Sequence, residues 1–204
     1  MTRRFAITAL VTLVGLVLSV LVAGPASAQT GTYLRLTHLS PDTPTVDVLV
    51  TSFGGQTTRL DGVAYGDVST YAQVEPGAYT LQMLPAGAPE GTPPVVTGTL
   101  EAQEGAAYTA AALGPRAELA VRVLTDDLTP PGPDSSRVRV VQGAETAGPV
   151  EVRWAGAPAF DAVEFGTATD YVTVPAGDGS FDLVAGTGDP VRVEQRLEPA
   201  PCTA

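Results

Sequence analysis

From Tyr33 onward, apolar and polar residues alternate over short runs, and no stretch after Ala28 sustains a 3.6-residue period for three turns. Tyr33–His38, Thr45–Val50, Ala78–Met83 and Ala120–Leu124 each place apolar side chains on one face at period two, which predicts half-buried β-strands. Val95–Leu100, Gly105–Ala111 and Val191–Leu197 read the same way. Gly54-Gly55, Asp61-Gly62, Pro76-Gly77 and Asp178-Gly179 punctuate these runs as turn signals. Many short strands with regular turns predict an all-β chain of antiparallel sandwich type, immunoglobulin-like or transthyretin-like, and not an α/β fold.

The pattern is written twice. Val63, Tyr65, Gly66, Tyr71, Val74 and Gly77 return one hundred residues later as Val163, Phe165, Gly166, Tyr171, Val174 and Gly177. Arg35-Leu36-Thr37 and Val46-Asp47-Val48 return as Arg139-Val140-Val141 and Val150-Glu151-Val152, offset by 104. Matches in the same order across a small gap imply a duplicated module. The run Thr129-Pro130-Pro131-Gly132-Pro133-Asp134-Ser135 cannot continue a strand and is expected to link them. Module one is then 29–128, the linker 129–135 and module two 136–204. After Val191–Leu197, module two has no counterpart of Gly105–Ala111 or Leu119–Leu124, so it lacks its last strands. A sandwich short of two strands leaves an open edge, to be filled by module one, a second chain or a partner's strand; a module that tolerates fewer strands, or a shortened product, is the plainer alternative.

The first 28 residues belong to neither module. Arg3-Arg4, an apolar run from Ala9 to Ala23 and a small-residue end at Ala26-Ser27-Ala28 have the form of a secretory signal peptide cleaved after Ala28. Beyond it stand nine arginines (the eleven of the chain less Arg3 and Arg4), no lysine and 22 acids, a net charge near −13. That balance argues against nucleic acid and against anionic membrane surfaces as partners. Asn is absent and Ile7 is the only isoleucine, which suggests a GC-rich genome and, with the signal, an actinobacterial secreted protein. The single Cys202 can form no internal disulfide.

The segment His38-Leu39-Ser40-Pro41-Asp42-Thr43-Pro44-Thr45-Val46-Asp47-Val48 resembles the opening of the DUF4397 family of exported β-rich modules of unknown function. Tyr65-Gly66 with Tyr71, and Pro76-Gly77-Ala78-Tyr79, match the family's next two motifs. Gly105-Ala106-Ala107-Tyr108-Thr109 and Leu124-Thr125-Asp126-Asp127 fit its end, so the resemblance covers all of module one. Module two departs from it, with Gln142 for the histidine and Gly143-Ala144-Glu145 for Ser-Pro-Asp. The resemblance implies a secreted or surface-displayed sandwich, often in tandem, and attaches no activity to His38, Ser40, Pro41, Asp42, Pro44, Asp47, Gly66, Tyr71, Gly77 or Tyr79.

Candidate chemistry is sparse. His38, the only histidine, stands beside Ser40, Asp42 and Asp47, yet residues so close on one strand splay to opposite faces and seldom form a triad. A structural role is expected instead: a Ser-Pro-Asp turn, an aspartate on backbone amides and an imidazole bonded across the loop. Calcium requires six to eight oxygens, and Asp42, Asp47, Asp126 and Asp127 show no spacing of a known loop. One histidine and one cysteine cannot fill a zinc site, and no cofactor motif occurs. The tyrosines are expected in the core and at corners. Trp154, matched near Val50, is the candidate for an exposed contact residue. The expectation is a non-enzymatic secreted or cell-surface module, extracellular or associated with the cell wall, with a binding, adhesion or structural role. Its partner is expected to be a protein, cell-wall glycan or a second copy through an open sheet edge, with no membrane contact after signal cleavage. The alternative is a hydrolase or calcium-dependent enzyme using the His38–Asp47 segment.

Overall fold

The computed structural model describes residues 31–186 and 189–198. Residues 1–28, expected as a signal peptide, and Cys202 lie outside the described residues. Eight strands build the first half: β1 (Thr32–Leu39), β2 (Val46–Ser52), β3 (Thr57–Val63), β4 (Ala72–Val74), β5 (Gly77–Pro85), β6 (Val96–Ala102), β7 (Ala107–Leu113) and β8 (Ala120–Asp126). They form two four-stranded sheets, ordered β4-β1-β7-β8 and β3-β2-β5-β6. The alternation explains the layers. Leu34 and Leu36 from β1, Val46, Val48 and Val50 from β2, and Leu81 and Met83 from β5 share one core with Tyr108, Ala110 and Ala112 of β7.

Two features depart from a plain antiparallel sandwich. The central pair β1–β7 is parallel, with Tyr33 opposite Ala107 and Leu39 opposite Leu113. The strands β2 to β6 intervene, which supplies the long crossover that a parallel pair needs. The sandwich is also closed on one side only. There β6 packs on β8 so tightly that a Cβ on Gly98 would lie 2.6 Å from Val121 Cβ. On the other side β3 and β4 are both free edges among the described residues.

The second half contains β9 (Ser135–Val138), β10 (Val150–Trp154), β11 (Ala157–Val163), β12 (Val172–Pro175), β13 (Gly177–Ala185) and β14 (Val191–Leu197). The sheet order β11-β10-β13-β14 repeats β3-β2-β5-β6, and the pair β12-β9 repeats β4-β1. Among the described residues nothing stands where β7 and β8 would follow. The second core is correspondingly small: Val152, Phe160 and Val163, with Val138, Val140, Phe181 and Leu183 half-buried around it. Val191 and Val193 of β14 remain 62% and 44% exposed.

Trp154 is not an exposed contact residue; it is 6% exposed. It stands opposite Phe181 in the β10–β13 ladder, with ring centroids 4.7 Å apart. Its indole occupies the space that a side chain on Gly179 would need, 2.6 Å from an ideal Cβ there. In the first half the matching positions hold Val50 and Tyr79. The second half reverses large and small across the same diagonal, a volume-conserving exchange that keeps the face filled.

The two halves share an interface. β7 is buried along its whole length. Its inward side chains enter the first core, and its outward residues meet the second half, where Gly166 lies against Leu113 and Gly143 against Leu39. Ala107, Thr109 and Ala111 keep this outer face nearly flat, so another layer packs close upon it.

Candidate functional site

His38 belongs to the inward row of β1 and is 1% exposed. Its Nδ1 accepts the Ser40 amide at 3.4 Å, and its Nε2 has no hydrogen-bond partner among the described residues. The ring adjoins a cavity of about 20 Å³ bordered by Leu36, Val48, Leu81 and Met83. Ser40 Oγ bonds Asp42 Oδ1 at 3.2 Å and Thr43 Oγ1 at 2.7 Å, not the imidazole. Asp42 in turn accepts the Arg116 amide at 2.8 and 3.0 Å, tying the Pro41-Asp42 turn to the chain before β8. Pro41 and Pro44 are exposed beside it.

The second half offers a comparison for the histidine position. Gln142 Oε1 accepts the Ala144 amide at 2.7 Å, as His38 Nδ1 accepts that of Ser40. The carbonyls of His38 and Gln142 accept the amides of Gly66 and Gly166, both at 2.8 Å. Both glycines have positive φ, +88° and +73°, where a side chain would strain the turn. The side chain at this position is a buried acceptor for the amide two residues on, and two chemically different groups serve.

The acids do not converge. No group of three potential metal ligands occurs among the described residues. Asp47, 2% exposed, accepts the amides of Gly62 and Gly87, both at 2.8 Å, and Arg59 at 2.6 Å. Asp127 holds Arg137 at 2.6 Å and the Thr129 amide at 2.9 Å. Asp47 and Asp127 each anchor their own loop. The Gly62 and Gly87 amides, with Arg59, hold the Asp47 carboxyl below the usual carboxylate range against an opposing desolvation. A lowered folded value contributes stability above the unfolded pKa near 4, lost as pH falls through the folded value. Asp47→Asn is therefore less stable than the parent at pH 6 and loses less on acidification, as read by urea unfolding between pH 6 and pH 2.

Repeated residues do converge at the joint between the halves. The Arg35 guanidinium lies 4.7 Å from the Tyr71 ring centre, and that of Arg139 lies 5.0 Å from Tyr171. Both face Asp126, whose side chain is fully buried. Arg139 donates to Asp126 directly, Tyr71 Oη and Thr109 Oγ1 donate at 2.5 Å, and Arg35 Nε lies 3.7 Å away. Burial, followed by the hydrogen bond and charge of Asp126, pushes the Tyr71 phenol up to about 12. The tyrosine thus stays a donor. The recurrence of Arg35 and Tyr71 as Arg139 and Tyr171 was visible in the sequence; the acid they meet was not.

A concavity lies elsewhere, on the open side of the first sandwich. A groove of about 770 Å³ runs between the free edges of β3 and β4. Leu34, Leu36, Val50, Leu60 and Val74 form its floor, and Ser52, Thr58 and Gln73 stand on its flanks. Phe53 stands at one end with 93% of its surface exposed. Its turn is firmly set: the Phe53 amide donates to Ala78 O at 2.9 Å and the Ser52 amide to Gln56 O at 2.8 Å. Beside it Tyr79 Oη donates to Glu75 O at 2.7 Å, fixing the Pro76-Gly77 corner, where Gly77 has φ +143°. Periodicity alone could not reveal the groove, which depends on which strands stay unpaired.

A search of curated proteins finds no match. Two solved structures are similar at low identity. The Bacillus anthracis TIE protein is 13% identical, with 82% of this chain and 32% of that one covered and a TM-score of 0.28. A leucine-rich repeat protein from Bacteroides thetaiotaomicron is 16% identical, with 82% and 24% covered and a TM-score of 0.26. This chain spans about a third and a quarter of their lengths. The family model described as a domain of unknown function, DUF4397, matches residues 32–153, from β1 across the Pro-rich segment into β10. That is more than half of the sequence, and the chain belongs to the DUF4397 family.

Proposed function

We propose that this chain is an exported, non-enzymatic β-sandwich module that holds an extended polypeptide of a partner protein along the groove between β3 and β4. It acts outside the cell or at the cell surface, as one complete module, 29–128, joined through 129–135 to a shortened one, 136–204. The observation that carries the reading is the pairing of an apolar floor with a free strand edge in one groove. An edge strand offers backbone donors and acceptors at ladder spacing, which a polypeptide matches and a glycan does not. Cell-wall glycan would call for aromatic platforms, whereas aliphatic side chains form this floor. Phe53 supplies an anchor whose burial is worth about 2 kcal/mol. The Ser40 hydroxyl and the Asp42 and Asp47 carboxylates already hold loops, which weighs against the hydrolase alternative.

Selection from a displayed random-peptide library is expected to yield extended sequences with alternating apolar residues. Phe53→Asp is expected to weaken their capture about tenfold without shifting the Tm. Capture of purified peptidoglycan in place of peptides, lost in Phe53→Asp, would replace the polypeptide by glycan. A hydrolytic turnover abolished by His38→Ala in a folded protein would overturn the non-enzymatic reading.

A further inference from the structure

β14 ends the second sheet and, among the described residues, pairs only with β13. Six of its seven residues are exposed. Its sequence, continued by Glu198, is Val191-Arg192-Val193-Glu194-Gln195-Arg196-Leu197-Glu198. One face carries Val191, Val193, Gln195 and Leu197. This is the inward face, because Val191 stands opposite Leu183 and Val193 opposite Phe181. It is also the face that β7 and β8 cover in the first half, and here the two valines stay exposed. The other face reads Arg192, Glu194, Arg196, Glu198: plus, minus, plus, minus. Arg192 pairs with Asp182 at 2.6 Å and Arg196 with Asp178 at 2.9 Å on the neighbouring strand. Ser136 Oγ donates to the Glu198 carbonyl at 2.7 Å, which fixes the strand's end.

We propose that two copies of this chain dimerise by antiparallel pairing of β14 with β14, across a twofold axis at Gln195. The charge pattern is self-complementary in that register. Glu194 falls opposite Arg196 of the second copy and Arg192 opposite Glu198, each twice, while Val193 meets Leu197 on the inward face. Arg192 then lies between Asp182 on β13 and Glu198 across the axis, and Arg196, which holds Asp178 on β13 and Glu198 of its own strand at 2.9 Å each, gains Glu194 across the axis. Neighbouring registers are poorer. Centring on Glu194 sets Glu194 against itself and Arg192 against Arg196, like charges directly opposed. Centring on Val193 keeps only the Arg192–Glu194 contacts. A slip that pairs odd with even positions turns the valines to the opposite face. The interface is isologous and closed, producing one eight-stranded sheet, β11-β10-β13-β14-β14-β13-β10-β11, with no free β14 edge. It does not depend on the groove of the first half.

Light scattering on the secreted chain at micromolar concentration is expected to give twice the monomer mass. Glu194→Arg sets the new guanidinium directly against Arg196 of the second copy and is expected to give the monomer mass. Adding Arg196→Glu restores the opposed signs and is expected to recover the dimer. The register is read separately by oxidising Gln195→Cys and Val193→Cys variants in a Cys202→Ala background. Residue 195 meets itself at a separation a disulfide can bridge, so only Gln195→Cys is expected to crosslink. A monomeric parent, a dimer indifferent to Glu194→Arg, or crosslinking through Val193→Cys alone would overturn the proposal.

Discussion

Replacing Asp126 by alanine is expected to lower the unfolding free energy by about 3–5 kcal/mol, the scale for removing one partner of a buried ion pair. The carboxylate is fully buried and receives Arg139, Tyr71 and Thr109, with Arg35 at its margin. Its removal strands the Arg139 guanidinium, whose side chain is only 9% exposed, between two halves that pack face to face. In a chain of this length the loss corresponds to a fall in Tm of roughly ten degrees, measurable by calorimetry. Because the acid bridges the halves, the single transition is expected to broaden or split as they unfold separately. Arg139→Ala added to Asp126→Ala is expected to cost little more, since the two act on one interaction. A fall below about 1 kcal/mol would place the joint among solvent-screened surface pairs.

Trp154→Ala is the other large effect, expected at about 3–5 kcal/mol, in the range for removing a buried large aromatic. A tryptophan on the exposed face of a strand would cost no more than about 0.5 kcal/mol. Urea unfolding therefore distinguishes the two placements by a wide margin. The cost arises because Gly179 has no side chain to fill the vacated space and Phe181 loses the ring packed against it at a 45° tilt. The pair Trp154→Val with Gly179→Tyr rebuilds the arrangement of the first half, Val50 with Tyr79. It is expected to recover part of the loss that Trp154→Val alone incurs.

The strands were legible because period-two alternation is a local property. Val191–Leu197 appears in the structure with the bounds that its alternation predicts, and β1, β2, β5 and β8 contain or overlap the runs that announced them. β3 and the three-residue β4 carry weak alternation and were not evident. The direction of the β1–β7 pairing was not legible either, since an inward-outward pattern is the same for parallel and antiparallel neighbours. The burial of Trp154 depends on a glycine 25 positions away, Gly179, and composition cannot report such a pair. The joint at Asp126 draws on β1, β7, β8, the segment before β4 and the start of the second half. The duplication flagged its arginines and tyrosines, but nothing local marked their common target. For His38 a bond across the loop was expected, whereas its Nδ1 accepts the amide of Ser40 two residues on, and the likeness to Gln142 emerged only from the fold.

The parallel β1–β7 pair also bears on the order in which the molecule comes into being. β1 is a central strand, and Arg35 meets Thr109 across 74 residues of sequence. As the chain is made from its amino end, β1 therefore waits unpaired on that side until β7 has appeared. The β2–β3 hairpin and the meander through β5 and β6 can close first, each on a near neighbour. The first sandwich must then assemble late and nearly at once, when β7 slots between β1 and β8. Distant closure of this kind places the chain among slow folders, with apolar strand edges exposed during the wait. A chain with this topology profits from remaining unfolded until all of it has reached one compartment.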